Sequence, residues 1–347
     1  MSARRPAVPE SVRRIVKVEL HQHVDGSIPA RTMWRLLRRH DLHPVTTMGE
    51  MRRRLELQPD EEGSLLAYLD KFHYPLWITQ FYENIREAAA AIVREAADCH
   101  VRTLELRYSP VIHTYAGLTV RQAVRAVLSG MNQVCREVRG MRCGLVIIAM
   151  RQHGPHIAKI LARQAIGEAE HLHERSGVVG FDIAGPERGN PPRLFREAFE
   201  IARAGGLGLT AHAGEDGPAD YIWQAIDEDG AERIGHGCAA LGDKALMRRL
   251  AKDKIVVECC PTSNYQTGAV KKGTPHPILA FLEAGVPVAL SVDNTTVSRT
   301  DQNFESAWLA ATLGAGGVAA VRRLHREAKG YTFIGRAPKA RGGSPKR

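Results

Sequence analysis

The chain has 347 residues, 44% of them hydrophobic and 25% charged, which excludes a disordered chain and allows a large buried core. The formal net charge of +10 is carried largely at the ends, in Arg4, Arg5, Arg13, Arg14, Lys17 and the segment 336–347, where solvated basic residues do not argue for a nucleic-acid partner. No run is long and apolar enough to span a bilayer, no apolar segment follows the N-terminal basic residues, and the six cysteines lack CxxC spacing, so a reduced, cytoplasmic protein without a membrane partner is expected.

In chain order, short β-branched or apolar runs predict strands at 15–20, 101–108, 143–150, 178–183, 207–211, 233–235, 255–259 and 286–292. Amphipathic stretches lie between them, such as 120–138, where Val120, Val124, Val127 and Met131 share one side, and 157–175. Strands that alternate with helices pair in parallel through right-handed crossovers, and eight such units close into a (β/α)8 TIM barrel. The first two strands are separated by 29–100, room for several inserted helices. There Leu65, Tyr68, Leu69 and Phe72 form an i, i+3, i+4, i+7 stripe that either packs outside the barrel or covers its mouth; periodicity leaves both open. Cys259 and Cys260 sit in an apolar run and read as small buried side chains. No internal repeat divides the chain, so the expected organisation is a basic segment over 1–14, one barrel domain over 15–330 and a basic, disordered tail over 331–347.

In such a barrel the reactive groups project from the C-terminal ends of the strands. The first strand candidate runs into His21-Gln22-His23-Val24-Asp25-Gly26, the fifth into His212-Ala213-Gly214-Glu215, the sixth into His236-Gly237 and the eighth into Asp293-Asn294. Period-two geometry puts His21 and His23 on one face, and His212 with Asp293 completes a set of three nitrogens and one oxygen that suits Zn²⁺, though Fe²⁺, Co²⁺ or Mn²⁺ fit as well. Glu215, three positions after His212, is placed to be a general acid beside a metal-activated water, and His236 to orient that water or take its proton. The HxE and PCxxC pairing by which one class of zinc enzymes deaminates nucleobases is absent from the sequence.

The segments HQHVDG, ELRYSP, VVGFDIAGPE, TAHAGE, RIGHG, CCPTSN and SVDN occur in this order and resemble the motifs of the adenosine deaminase family. The resemblance implies a (β/α)8 barrel with one zinc ion that hydrolyses adenosine or deoxyadenosine to inosine or deoxyinosine and ammonia. It implies His21, His23, His212 and Asp293 as zinc ligands, Glu215 as proton donor to purine N1 and His236 as the group that positions the attacking water. It further implies that Asp25 bonds the ribose, that the Gly185 backbone contacts the purine and that the 65–72 stripe belongs to a lid. The chain departs from the family at Asn294, where a second aspartate usually contacts N7, and at Pro186, where an aspartate is common. An asparagine amide donates to N7 at any pH. Both departures touch the substrate rather than the reaction, so the alternative is the same chemistry on adenine, a thioether nucleoside, an N6-methylated nucleotide or an aminofutalosine-type nucleoside. Asp25 favours sugar hydroxyls and repels a 5′-phosphate. A nucleic-acid-binding protein with a vestigial barrel is disfavoured by the intact set of polar site residues. The oligomeric state is not legible.

Overall fold

Eight strands follow one another in both chain and space: β1 (Lys17–His23), β2 (Val101–Tyr108), β3 (Arg142–Met150), β4 (Val178–Ala184), β5 (Gly208–Ala213), β6 (Arg233–His236), β7 (Val256–Cys259) and β8 (Val288–Leu290). The computed structural model describes residues 7–336. Each neighbouring pair is parallel, and the ring closes where Asp293, just beyond β8, bridges Gln22 of β1. Almost every strand residue is buried, as a parallel sheet covered by helices on its outer face requires. The expected barrel is therefore present, with all eight strands at the predicted places and ends shifted by up to three residues.

Five helices occupy the interval between β1 and β2, the longest being Tyr82–Asp98. It lies against Val120–Glu137, whose start is fixed by a capping box between Thr119 and Gln122. A Cβ at Gly130 would fall 2.2 Å from the Arg86 carbonyl oxygen, so glycine is what lets these two helices approach. Among the described residues, no helix is long and apolar enough to cross a membrane.

The described parts of the two expected end segments, residues 7–14 and 331–336, pack against the barrel. Residues 10–13 form a helix with Val12 wholly buried, and Lys17 Nζ donates to the carbonyls of Val12 at 3.0 Å and Ile15 at 2.9 Å. At the other end, Tyr331–Arg336 does not leave the barrel but seals its N-terminal opening. Phe333 lies over Gly180 and Gly208, where a Cβ would come within 2.8 and 2.2 Å of its ring, and the Arg233 guanidinium stacks 3.6 Å above it. Glu105 accepts from the Phe333 N–H at 2.5 Å, the Thr332 hydroxyl at 2.6 Å and Arg233 at 2.5 Å. Tyr331, Phe333 and Ile334, just ahead of the basic run, carried too short a pattern to reveal this contact. The rest of the two expected end segments, residues 1–6 and 337–347, lies outside the described residues.

Phe333→Ala should thus destabilise the protein by about 3–5 kcal/mol, the range for a large buried aromatic. Denaturant unfolding measures this, and a loss below about 1 kcal/mol would show that the segment is not part of the folded floor.

Candidate active site

The longer-than-expected β1 carries His21 and His23 on the strand itself, both facing the barrel's C-terminal mouth. The His23 Nε2 atom is 3.2 Å from Nε2 of His21 and 3.2 Å from Nε2 of His212, the fifth residue of β5. Asp293 Oδ1 completes the cluster, 3.2 Å from His23 Nε2 and 3.8 Å from His21 Nε2. The strand pairing itself places this carboxylate: Asp293 donates its N–H to the His21 carbonyl at 2.9 Å and accepts from the His23 N–H at 2.8 Å. Asp293 and His236 both adopt left-handed backbone, with φ of 62° and 65°, a conformation that costs non-glycine residues energy and often marks functional sites.

Buried carboxylates behind the rings determine which nitrogens face inward. His21 Nδ1 donates to Glu258 at 2.8 Å and His212 Nδ1 to Asp182 at 3.0 Å, so both turn Nε2 toward the cluster. Arg107, fully buried, donates to Asp182 at 2.8 Å, to Glu258 at 2.8 Å and to the Leu20 carbonyl. Burial, with the positive charge of Arg107 and the other histidines, holds His21 well below the usual histidine range; His23 is lowered by burial and by His212 and Arg107. Burial opposes charge on His212 too, but Asp182 outweighs it and leaves that pKa raised. Three imidazole nitrogens this close repel one another unless a proton or a cation lies between them. Two triads here, His21 with His23 and Asp293, and His21 with His212 and His236, each bring their ligand atoms close enough together to hold a metal ion.

Glu215 and His236 stand at the edge of this cluster, 3.6 Å apart. Burial pushes the Glu215 carboxyl up to about 7, so it can hold a proton near neutrality. Its loop is pinned by Glu187, which accepts from the N–H groups of Gly214 at 2.8 Å, Glu215 at 2.9 Å and Asp216 at 3.3 Å. The tautomer of His236 follows from a chain of bonds behind it. The Ile278 N–H donates to His276 Nδ1 at 3.1 Å, so neutral His276 carries its hydrogen on Nε2 and gives it to Asn264 Oδ1 at 3.1 Å. Asn264 must then turn its amide N–H toward His236 Nδ1, 2.9 Å away, which leaves the hydrogen of His236 on Nε2, facing the site. Burial depresses His276 to about 3 and His236 to about 4, so both are neutral.

The residues expected on the substrate side are only partly free to face a ligand. Asp25 Oδ1 lies 2.7 Å from Nε2 of His113, a residue the sequence reading passed over. Gly185 has φ of 95°, which lets backbone approach the mouth without a side chain. Asn294 lies over Gly26, where a Cβ would be 2.0 Å from its Oδ1, and its amide donates to the Tyr68 hydroxyl at 3.0 Å. Tyr68 in turn meets Ser298 Oγ at 2.7 Å. The Leu65–Asp70 helix therefore rests on the loop after β8, with Tyr68 buried inward and Leu69 left 42% exposed; Phe72 lies beyond its end.

The motifs singled out in the sequence contain most of the residues missed there: Arg107 in ELRYSP, Asp182 and Glu187 in VVGFDIAGPE, Asn264 in CCPTSN. Glu258 lies outside them, and its only signal was a carboxylate inside an apolar strand run.

A model of the family described as adenosine deaminase matches residues 16–341. The chain belongs to the adenosine deaminase family. It is 36% identical over 292 residues to an adenosine deaminase of Enterococcus faecalis, covering 83% of each chain. It is 33% identical to one of Shewanella loihica, covering 91% of this chain and 94% of that one. Among solved structures, N6-mAMP deaminase of Arabidopsis superposes with a TM-score of 0.81 at 25% identity, covering 94% of this chain and 96% of that one. Adenine deaminase of Arthrobacter aurescens shares the fold, with a TM-score of 0.76 at 23% identity over 91% of this chain and 99% of that one.

Arg107→Met should cost about 3–5 kcal/mol of stability, because Asp182 and Glu258 would be left as buried charges without their common partner. A variant that unfolds at the wild-type denaturant midpoint would show that the two carboxylates do not depend on Arg107.

Proposed function

We propose that this chain hydrolyses the 6-amino group of adenosine or deoxyadenosine, releasing ammonia and leaving inosine or deoxyinosine. One observation carries the reading: His21, His23, His212 and Asp293 converge at the barrel mouth while a protonatable Glu215 and a neutral His236 stand beside them. In this reading the four converging residues hold one zinc ion, whose nitrogen-rich, partly carboxylate donor set it suits. Zinc, when bound, is a Lewis acid that makes a hydroxide nucleophile accessible near neutral pH. The remaining work belongs to the chain.

Attack at C6 turns the purine ring carbon tetrahedral and moves electron density onto N1. Glu215, buried and held by Glu187 through its loop, gives its proton to N1 at that moment, and as a carboxylate it then carries the C6 hydroxyl proton to the amino nitrogen, so that ammonia leaves and C6 becomes a carbonyl. His236 has its hydrogen on the nitrogen facing the site, so it donates to the attacking water's oxygen and orients the lone pair at C6; it does not start as a base. Burial of both groups keeps the proton on the carboxyl and off the imidazole. Gly185 presents backbone to the purine, Asp25 bonds the sugar, and Asn294 offers N7 the amide hydrogen that Tyr68 does not use. The 65–70 helix, joined to Asn294 through Tyr68, covers the mouth and limits solvent around Glu215.

The names of two structural neighbours, an adenine deaminase and an N6-mAMP deaminase, keep the same chemistry on another 6-aminopurine as the second reading. A panel of adenosine, deoxyadenosine, adenine, a thioether nucleoside and N6-methyl-AMP, followed by loss of adenine absorbance, separates the two. Adenosine or deoxyadenosine should be turned over fastest.

Two further outcomes test the roles. Glu215→Gln keeps shape and removes the proton, so kcat should fall about 10²–10⁴-fold with the fold intact; near-wild-type kcat would leave Glu215 structural. Elemental analysis should find about one zinc per chain, lost together with activity in Asp293→Ala. Full turnover by metal-free protein would end the reading.

A further inference from the structure

At the end of β2 the chain turns through Pro110–His113 and brings His113 under the loop that follows β1. His113 is 1% exposed and Asp25 7%, and their facing atoms, Nε2 and Oδ1, are 2.7 Å apart. Despite that distance the two are not aligned as a hydrogen bond, and neither atom has another partner among the described residues. The far side of the ring is fully committed. The Thr79 hydroxyl donates to the Pro75 carbonyl at 2.7 Å, so its oxygen is left to accept, and it meets His113 Nδ1 at 2.8 Å. The His113 Nδ1 atom therefore carries a hydrogen. Nε2 is left facing the Asp25 carboxyl with its bonding capacity unused.

Buried polar atoms are nearly always satisfied, and two that lie side by side without satisfying each other are open to a hydroxyl group, which can both donate and accept. A hydroxyl set against this pair donates to the Asp25 carboxyl and meets His113 Nε2 on the other side. Resting on the nucleoside reading above, we infer that His113 is a specificity-determining residue: with Asp25 it clamps one free sugar hydroxyl of the substrate. The clamp selects nucleosides that carry this hydroxyl over those in which it is removed or esterified. A deoxy position leaves both buried atoms unpaired, and sites built to bond a hydroxyl reject analogues that lack it far more strongly than apolar pockets reject a missing methylene. Thr79 fixes the ring's orientation, and through it the helix His73–Ile78 supports the clamp.

The experiment compares adenosine with its 2′-, 3′- and 5′-deoxy analogues on wild type and on His113→Phe, by kcat/KM. One analogue should fall about 10–100-fold on wild type, the factor for a charged hydrogen bond, and lose most of that penalty on His113→Phe while the others keep their ratios. A common drop for all four substrates in His113→Phe would overturn the inference and leave His113 a packing residue. Binding to Glu215→Gln by calorimetry gives a test that needs neither turnover nor a folded His113→Phe. One deoxy analogue should bind at least about tenfold more weakly than adenosine, and equal binding of all four overturns the clamp. If wild type deaminates no adenine nucleoside, the functional reading fails instead, and the binding comparison tells the two failures apart.

Discussion

The interior of this barrel is organised around Arg107. A guanidinium enclosed at zero exposure needs partners for its charge, and here two carboxylates and a carbonyl, drawn from β4, β7 and β1, accept from its two terminal nitrogens, while Nε has no hydrogen-bond partner among the described residues. Each carboxylate then has capacity left for a histidine ring: Glu258 for His21, Asp182 for His212. Arg107 thus acts on the site without touching it. Because Arg107 holds the two carboxylates in place behind the rings, they accept the Nδ1 hydrogens, and because they accept them, Nε2 faces the cluster. Positions on four strands are in this way coupled to one buried charge.

A second constraint acts from the rim. The last contact of the barrel, between β8 and β1, is made by Asp293, so closing the fold and delivering the carboxylate to the histidines are one event. The left-handed backbone at Asp293 and His236 is the local cost, offset by the parallel strands on either side. Around the rim, carboxylates and amides do similar positioning work at other residues: Glu187 gathers three successive N–H groups under Glu215, and Asn264 transmits the tautomer of His276 to His236. None of these groups depends on a long or exposed side chain holding its place by itself.

The opposite end of the barrel follows a different logic. Glu105 and Arg233 form a buried pair whose remaining capacity goes to the returning chain at Thr332 and Phe333 rather than to a ligand. Glu258 belongs to both ends, since Arg233 Nε lies 2.7 Å from its Oε1 while Oε2 serves Arg107 and His21. The floor and the site therefore share one carboxylate.

What the sequence determined by itself was whatever repeats at short range. Alternation of apolar runs with amphipathic stretches specified eight strands and the barrel, because burial of a parallel sheet leaves a contiguous apolar run in each strand. The HxH spacing put His21 and His23 on one face, because strand periodicity is local. Strand-end polar residues marked His212, Glu215, His236, Asp293 and Asn294 as neighbours, because the barrel brings all strand ends to one rim. Tertiary structure alone decided the partners of those residues. That Asp25 meets His113, that Asn294 is bonded to Tyr68, that Glu258 stands behind His21 and that Phe333 returns to the floor depend on contacts between segments far apart in the chain. Such contacts arise from the geometry of closure, and no periodicity in the residues that make them announces it.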